Sequence, residues 1–174
     1  MALACSRRAR LLTALIAAGA SFERQAPANA ATLDPALAPV LTVGPVAMGA
    51  AQSAVERALG AKAADCEPSP LGKNGCYTDG RALLVVTFVK GRVASILMLQ
   101  RGDARQHVAR RVHQTFSHWR WNGAPVFADR VPSVPPGWTP VTGDAHGRVF
   151  DRAGYSVAKS FATGHGWLVT IGME

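Results

Sequence analysis

The stretch "RALLVVTFVKGRVASILML", residues 81–99, does most to limit what this chain can fold into. Two runs of β-branched and large apolar residues meet at Lys90-Gly91, a pair suited to a tight hairpin turn. A turn there sets Phe88 opposite Val93, Val86 opposite Ser95 and Leu84 opposite Leu97. The other face carries Leu83, Val85, Thr87, Val89, Ala94, Ile96 and Met98. Both faces are apolar. Either these strands are central and covered on both sides, or one face is a binding surface.

The chain opens "MALACSRRARLLTALIAAGASFERQAPANAATLDP". Arg7, Arg8 and Arg10 precede a short uncharged apolar run from Leu11 to Phe22, and Ala28-Asn29-Ala30 supplies a small-x-small site. Together they predict a cleavable export signal over residues 1–30. The run is shorter than the ~20 apolar residues a membrane-spanning helix needs, so no transmembrane segment is expected after cleavage. The adjacent Arg7-Arg8 leaves two routes open, ordinary secretion and the twin-arginine route for folded proteins. Losing four arginines and one glutamate with the signal takes the formal net charge from +8 to +5. That balance favours an anionic partner, and export argues against nucleic acid. The expected location is periplasmic or secreted.

Cys66 and Cys76 are the only cysteines beyond the signal. Exported cysteine pairs are normally joined. Their spacing is not Cys-x-x-Cys, and no second pair or nearby histidine completes a zinc site. The turn formers in "EPSPLGKNG" let the chain fold back, so a disulfide is expected as a staple between helix and sheet.

Residues 31–45 are rich in alanine and proline and are expected to be loose. "MGAAQSAVERALG" has helical spacing at Met48, Ala51, Val55 and Leu59, with Gly49 at its start and Gly60 at its end. A second helix is expected in "GDARQHVARRVHQTFSHW", capped by Asp103, with Val108, Val112, Phe116 and Trp119 as its buried stripe. A Pro-rich crossing follows from Val131 to Thr142. Then come strands in "GRVFDR", "GYSVAKSFAT" and "GWLVTIG", joined at Arg152–Gly154 and Gly164–Gly166. The order helix, strands, helix, strands predicts an α+β domain over residues 46–174, a largely antiparallel sheet with two helices on one face.

"VGPVAMGAAQSAVERALG", two cysteines and a hairpin ending "KGRVASILM" resemble the helix-then-hairpin unit of small exported proteins. The likeness, over residues 42–100, is to the β-lactamase-inhibitor-protein-like fold and the SmpA/OmlA-type outer-membrane assembly lipoproteins. Met48-Gly49-Ala50 stands where such proteins often have Gly-Met-Thr, and no lipid-attachment cysteine is present. The resemblance implies a binding or assembly role rather than catalysis.

No catalytic residue can be assigned. There is no G-x-S-x-G elbow, the disulfide consumes both thiols, and the scattered aspartates suit turns. His107 and His118 would share a helix face but lie about 16 Å apart along it, too far for one ion. No metal or cofactor is therefore expected. The expected binding face is Arg110, Arg111, Gln114 and His118, turned outward by burial of the helix stripe, with Trp121 at the helix exit. The leading reading is an exported, non-enzymatic binding or assembly domain for a protein or an anionic envelope component. A small hydrolase or transferase with a loop-assembled site and a structural envelope protein are the rivals.

Overall fold

The computed structural model describes residues 33–66, 69–101 and 108–173. The expected signal segment lies outside the described residues, as do residues 102–107 at the start of the second expected helix. A hairpin of β1 (Thr42–Val43) and β2 (Val46–Ala47) leads to helix α1 (Gln52–Leu59). Next come β3 (Ala64–Asp65), β4 (Lys73–Thr78), β5 (Leu83–Val89), β6 (Arg92–Leu99) and β7 (Arg110–Arg111). A 3-10 turn, Phe116–His118, precedes the small hairpin β8 (Arg120–Trp121) and β9 (Ala124–Pro125). The chain closes with β10 (Thr139–Asp144), β11 (Gly147–Arg152), β12 (Tyr155–Ala162) and β13 (Gly166–Met173).

Nine of these strands form one sheet in the order β10-β11-β12-β13-β6-β5-β4-β3, with β7 added parallel to β4, while β1–β2 and β8–β9 are separate hairpins. Every other pairing is antiparallel. Of the described residues 48% are strand and 9% helical, which corrects the expected α+β class: the structure is mostly β, with one α-helix among the described residues.

The three-strand meander forms where the glycines and alternation place it. The first helix also forms. Gly60 adopts φ 67 at its C-cap and returns its N–H to Arg57 and Glu56, and Val55 and Leu59 are buried. Its start differs: Ala51, not Gly49, is the N-cap, because Ala51 bridges Arg92 and the Gly49 N–H is taken by the Val93 carbonyl at 2.8 Å.

The hairpin turns at Lys90 (φ 50) and Gly91 (φ 73), as two-residue turns with left-handed central residues do. Phe88 pairs with Val93 as expected, but a bulge between Thr87 and Phe88 shifts everything beyond it. Val86 therefore pairs with Ile96, not Ser95, and Leu84 with Met98, not Leu97. The shift gathers Leu84, Val86, Phe88, Val93, Ile96 and Met98 in the main core. On the opposite face Leu83 and Leu99 cluster with Cys76, and Cys66, Val85, Leu97 and Ala109 pack against them. A polar row, Asn74–Thr87–Ser95, crosses that face through hydroxyl bonds of 2.8 and 3.3 Å.

The main core is closed by irregular chain rather than by a helical layer. Leu37, Val40, Leu41 and Val43, in the segment expected to be loose, are all buried. So are Val112, Phe116 and Trp119, although the second helix is absent over residues 108–119. Arg110 and Arg111 pair with Tyr77 and Thr78 as a short strand, and the Phe116 N–H is captured by the Asp79 carboxylate at 2.9 Å. Val108, the first member of the expected stripe, is exposed. Val, Thr, Phe and Trp are indifferent helix formers, so backbone partners offered by β4 and Asp79 decide the local structure.

Cys66 and Cys76 are joined, with Cα atoms 5.8 Å apart. The bond ties the end of β3 to β4, two neighbouring parts of the sheet, rather than helix to sheet.

Candidate functional site

The proposed helix face does not exist as a face. Arg110 and Arg111 are exposed on β7. Gln114 donates its amide to the Ala58 carbonyl at the end of α1. His118 is exposed on the 3-10 turn. Trp121 is only 2% exposed, which corrects its expected place at a surface. Its ring stacks on Phe150 at 6.2 Å, and its Nε1 donates to the Val40 carbonyl at 2.9 Å.

What the structure does assemble is a cleft at one end of the sheet, where β4 and β6 finish and β5 and β13 begin. It has a volume of about 530 Å³, and Asp79, Arg81, Gln100, Arg101, Phe127 and Ala128 contribute to its lining. Asp79 is there because the β4–β5 connection needs it. Its Oδ1 accepts the N–H groups of Arg81 and Ala82 at 2.9 and 2.8 Å, and its Oδ2 accepts that of Phe116. This carboxylate is spent on backbone. Arg111, one of the expected binding residues, packs over the adjacent Gly80: its guanidinium is 3.2 Å from where a Cβ on Gly80 would stand. Gly80 (φ 95) thus serves both the turn and the close approach of that guanidinium.

One wall of the cleft is braced from behind. Gln100 Oε1 accepts the Trp167 N–H at 2.9 Å, and Trp167 Nε1 donates to Asp129 Oδ1 at 2.8 Å. Lys159, 2% exposed, donates its ammonium to the Ala128 carbonyl at 2.7 Å and sits over the Trp167 ring at 5.0 Å. Burial pushes its pKa down to about 8 and the Arg130 charge adds to this, while Asp129 opposes it. Sequence reasoning passed over Lys159. Its signal was the alternation in "GYSVAKSFAT", which puts Lys159 in phase with the buried Val157.

The arrangement offers guanidinium groups, a side-chain amide and backbone around a shallow space. No group of three or more His, Cys, Asp or Glu able to hold a metal occurs among the described residues, and His113 and His118 stand apart from the cleft lining. No described helix is long and apolar enough to cross a membrane.

No protein-family profile matches the chain, and no curated protein or solved structure matches it either.

Proposed function

We propose that the chain is an exported, non-enzymatic binding or assembly domain that holds an acidic protein or anionic envelope component at the arginine-bearing end of its sheet. The observation that carries the reading is a cleft lined by Arg101, with Arg111 packed over the neighbouring Gly80, whose lining carboxylate, Asp79, accepts three backbone amides. Guanidinium groups at a site where the described lining carboxylate is engaged by backbone favour an external acid, and their planar donors suit carboxylates and phosphates. The N-terminal basic, apolar and small-x-small segments support export, and the Cys66–Cys76 bond is consistent with an oxidising compartment.

The test compares capture from an envelope extract by the wild type and by Arg101→Glu. Arg101 is exposed and its backbone N–H bonds the His165 carbonyl, so the substitution leaves the fold in place. Salt-sensitive capture by the wild type, lost in the variant at unchanged Tm, supports the reading. Equal capture by both overturns it. Recovery of an intact Met1 form in the cytosol would remove export, whereas an exported protein beginning at Ala31 would support it.

A further inference from the structure

The nine-stranded sheet ends on one side in β10. All six residues of this strand are exposed, Val141 to 57%. The opposite edge is different: β3 is two residues long, and β7 runs beside β4. An edge strand turns alternate N–H and C=O groups outward, where another strand can pair with them. The start of β10 is closed to such pairing. Pro140 has no N–H, and the register shifts between Pro140 and Thr142. The stretch from Val141 to Asp144 is left open. Beside it lies a shallow pocket of about 380 Å³ lined by Val134, Pro140, Val141, Thr142, Gly143 and Arg148. A backbone edge for main-chain bonds and a pocket for a side chain are the two components of strand addition.

Charge selects the occupant. The Asp144 Oδ1 accepts the N–H groups of His146 and Gly147 at 2.6 and 3.0 Å, so this carboxylate is engaged within the turn. Arg148 donates to the Pro132 carbonyl at 3.1 Å and has no carboxylate partner among the described residues. A second copy is a poor fit, because β10 against β10 would bring two Arg148 guanidinium groups and two Pro140 rings to one short seam. We infer that the Val141–Asp144 edge docks an extended peptide segment of another protein, with an aliphatic side chain for the pocket and an acidic one for Arg148. This site is separate from the cleft and stands or falls independently of it.

The probe is a fluorescein-labelled octapeptide alternating valine and glutamate, with the valine–lysine peptide as its charge-reversed control. The full chain should bind the acidic peptide at least about tenfold more tightly, and the peptide should slow amide exchange within Val141–Asp144. Gly143→Pro removes a backbone donor from the open stretch. A Cβ there would meet Arg148 Nε at 3.2 Å, in a side chain that can move, and the Gly147 carbonyl at 3.4 Å. This variant should lose binding. Arg148→Glu keeps the backbone edge and should reverse the preference between the two peptides, so the test survives if the proline variant fails to fold. Equal binding of both peptides, or unchanged exchange at saturating peptide, overturns the proposal. So does sedimentation showing self-association that protects the same amides without peptide.

Discussion

Trp121 donates its indole N–H to the carbonyl of Val40, joining segments 81 residues apart across the top of the core. The bond explains how a chain without a helical layer closes over its sheet. The N-terminal segment and the small β8–β9 hairpin are latched to each other, and the indole stacks on Phe150 of β11 beneath them. Trp121→Ala should therefore destabilise the fold by about 3–5 kcal/mol. Trp121→Phe should cost about 1–3 kcal/mol, since it keeps most of the ring but strands the Val40 carbonyl. Arg111→Ala, at an exposed site, should stay within about 0.5 kcal/mol of wild type. Chemical denaturation separates the three. A Trp121→Ala protein as stable as wild type would place the indole outside the core.

The disulfide should contribute measurably because it restricts the unfolded chain. Cys66 and Cys76 are separated by 10 in sequence, and closing such a loop stabilises by about 2.5–3 kcal/mol on the chain-entropy model. Cys76 also belongs to the small cluster with Leu83 and Leu99. Cys66→Ser, which breaks the bond and alters only a half-buried neighbour of that cluster, should lose close to the loop term. Cys76→Ser should lose more. Equal losses would mean that the second apolar face adds nothing at this position.

The legible parts of this fold are those governed by local rules. Gly60 stops a helix, Lys90-Gly91 turns a hairpin, and the glycines around Gly154 and Gly164 divide three alternating strands. The disulfide followed from the expected compartment and the cysteine count. The failures share a cause. The spacing of Val112, Phe116 and Trp119 truly marks buried residues, but burial against a sheet can be reached by irregular chain held by Thr78 and Asp79 as well as by a helix. The bulge at Thr87/Phe88 carries no local signature, so the hairpin register was right only next to the turn. Residues 33–45 looked loose because prolines and alanines hide Leu37, Val40, Leu41 and Val43. Strand β10 was hidden by Pro140, which argues against a central strand and is tolerated on an edge. The cleft joins side chains from the β4–β5 turn, the exit of β6 and the segment after β9 at Phe127, and no motif spacing links them.

Tyr77 is fully buried, and its hydroxyl has no hydrogen-bond partner among the described residues. Burial, reinforced by the nearby Glu56 charge, pushes its pKa up to about 12. The neutral phenol is thus favoured in the folded state. Its contribution holds below the unfolded value of 10.0 and is lost as pH rises from there through about 12. Tyr77→Phe removes an unsatisfied buried hydroxyl and should raise stability by about 1 kcal/mol at neutral pH. It should also flatten the alkaline loss above pH 10. A destabilised phenylalanine variant would show that the hydroxyl has a partner, such as a buried water.

Lys159 gives a prediction of opposite sign. Its pKa falls from 10.5 to about 8 because burial penalises the ammonium, so the unfolded chain binds the proton more tightly than the folded one. Stability must then rise with pH between about 8 and 10.5 by the amount this group contributes, and the penalty is fully present below about 8. Lys159→Met fills similar volume without a titrating group. It also loses the bond to the Ala128 carbonyl and the contact over Trp167, so its stability at a single pH mixes several effects. The difference between wild type and variant across pH isolates the titration, because Tyr77, Asp129 and Arg130 are common to both. That difference should climb in favour of wild type from about pH 8 and level off near 10.5. A flat difference would mean that the ammonium reaches solvent, and that the wall of the cleft formed by Phe127 and Ala128 is not held from behind by a buried charge.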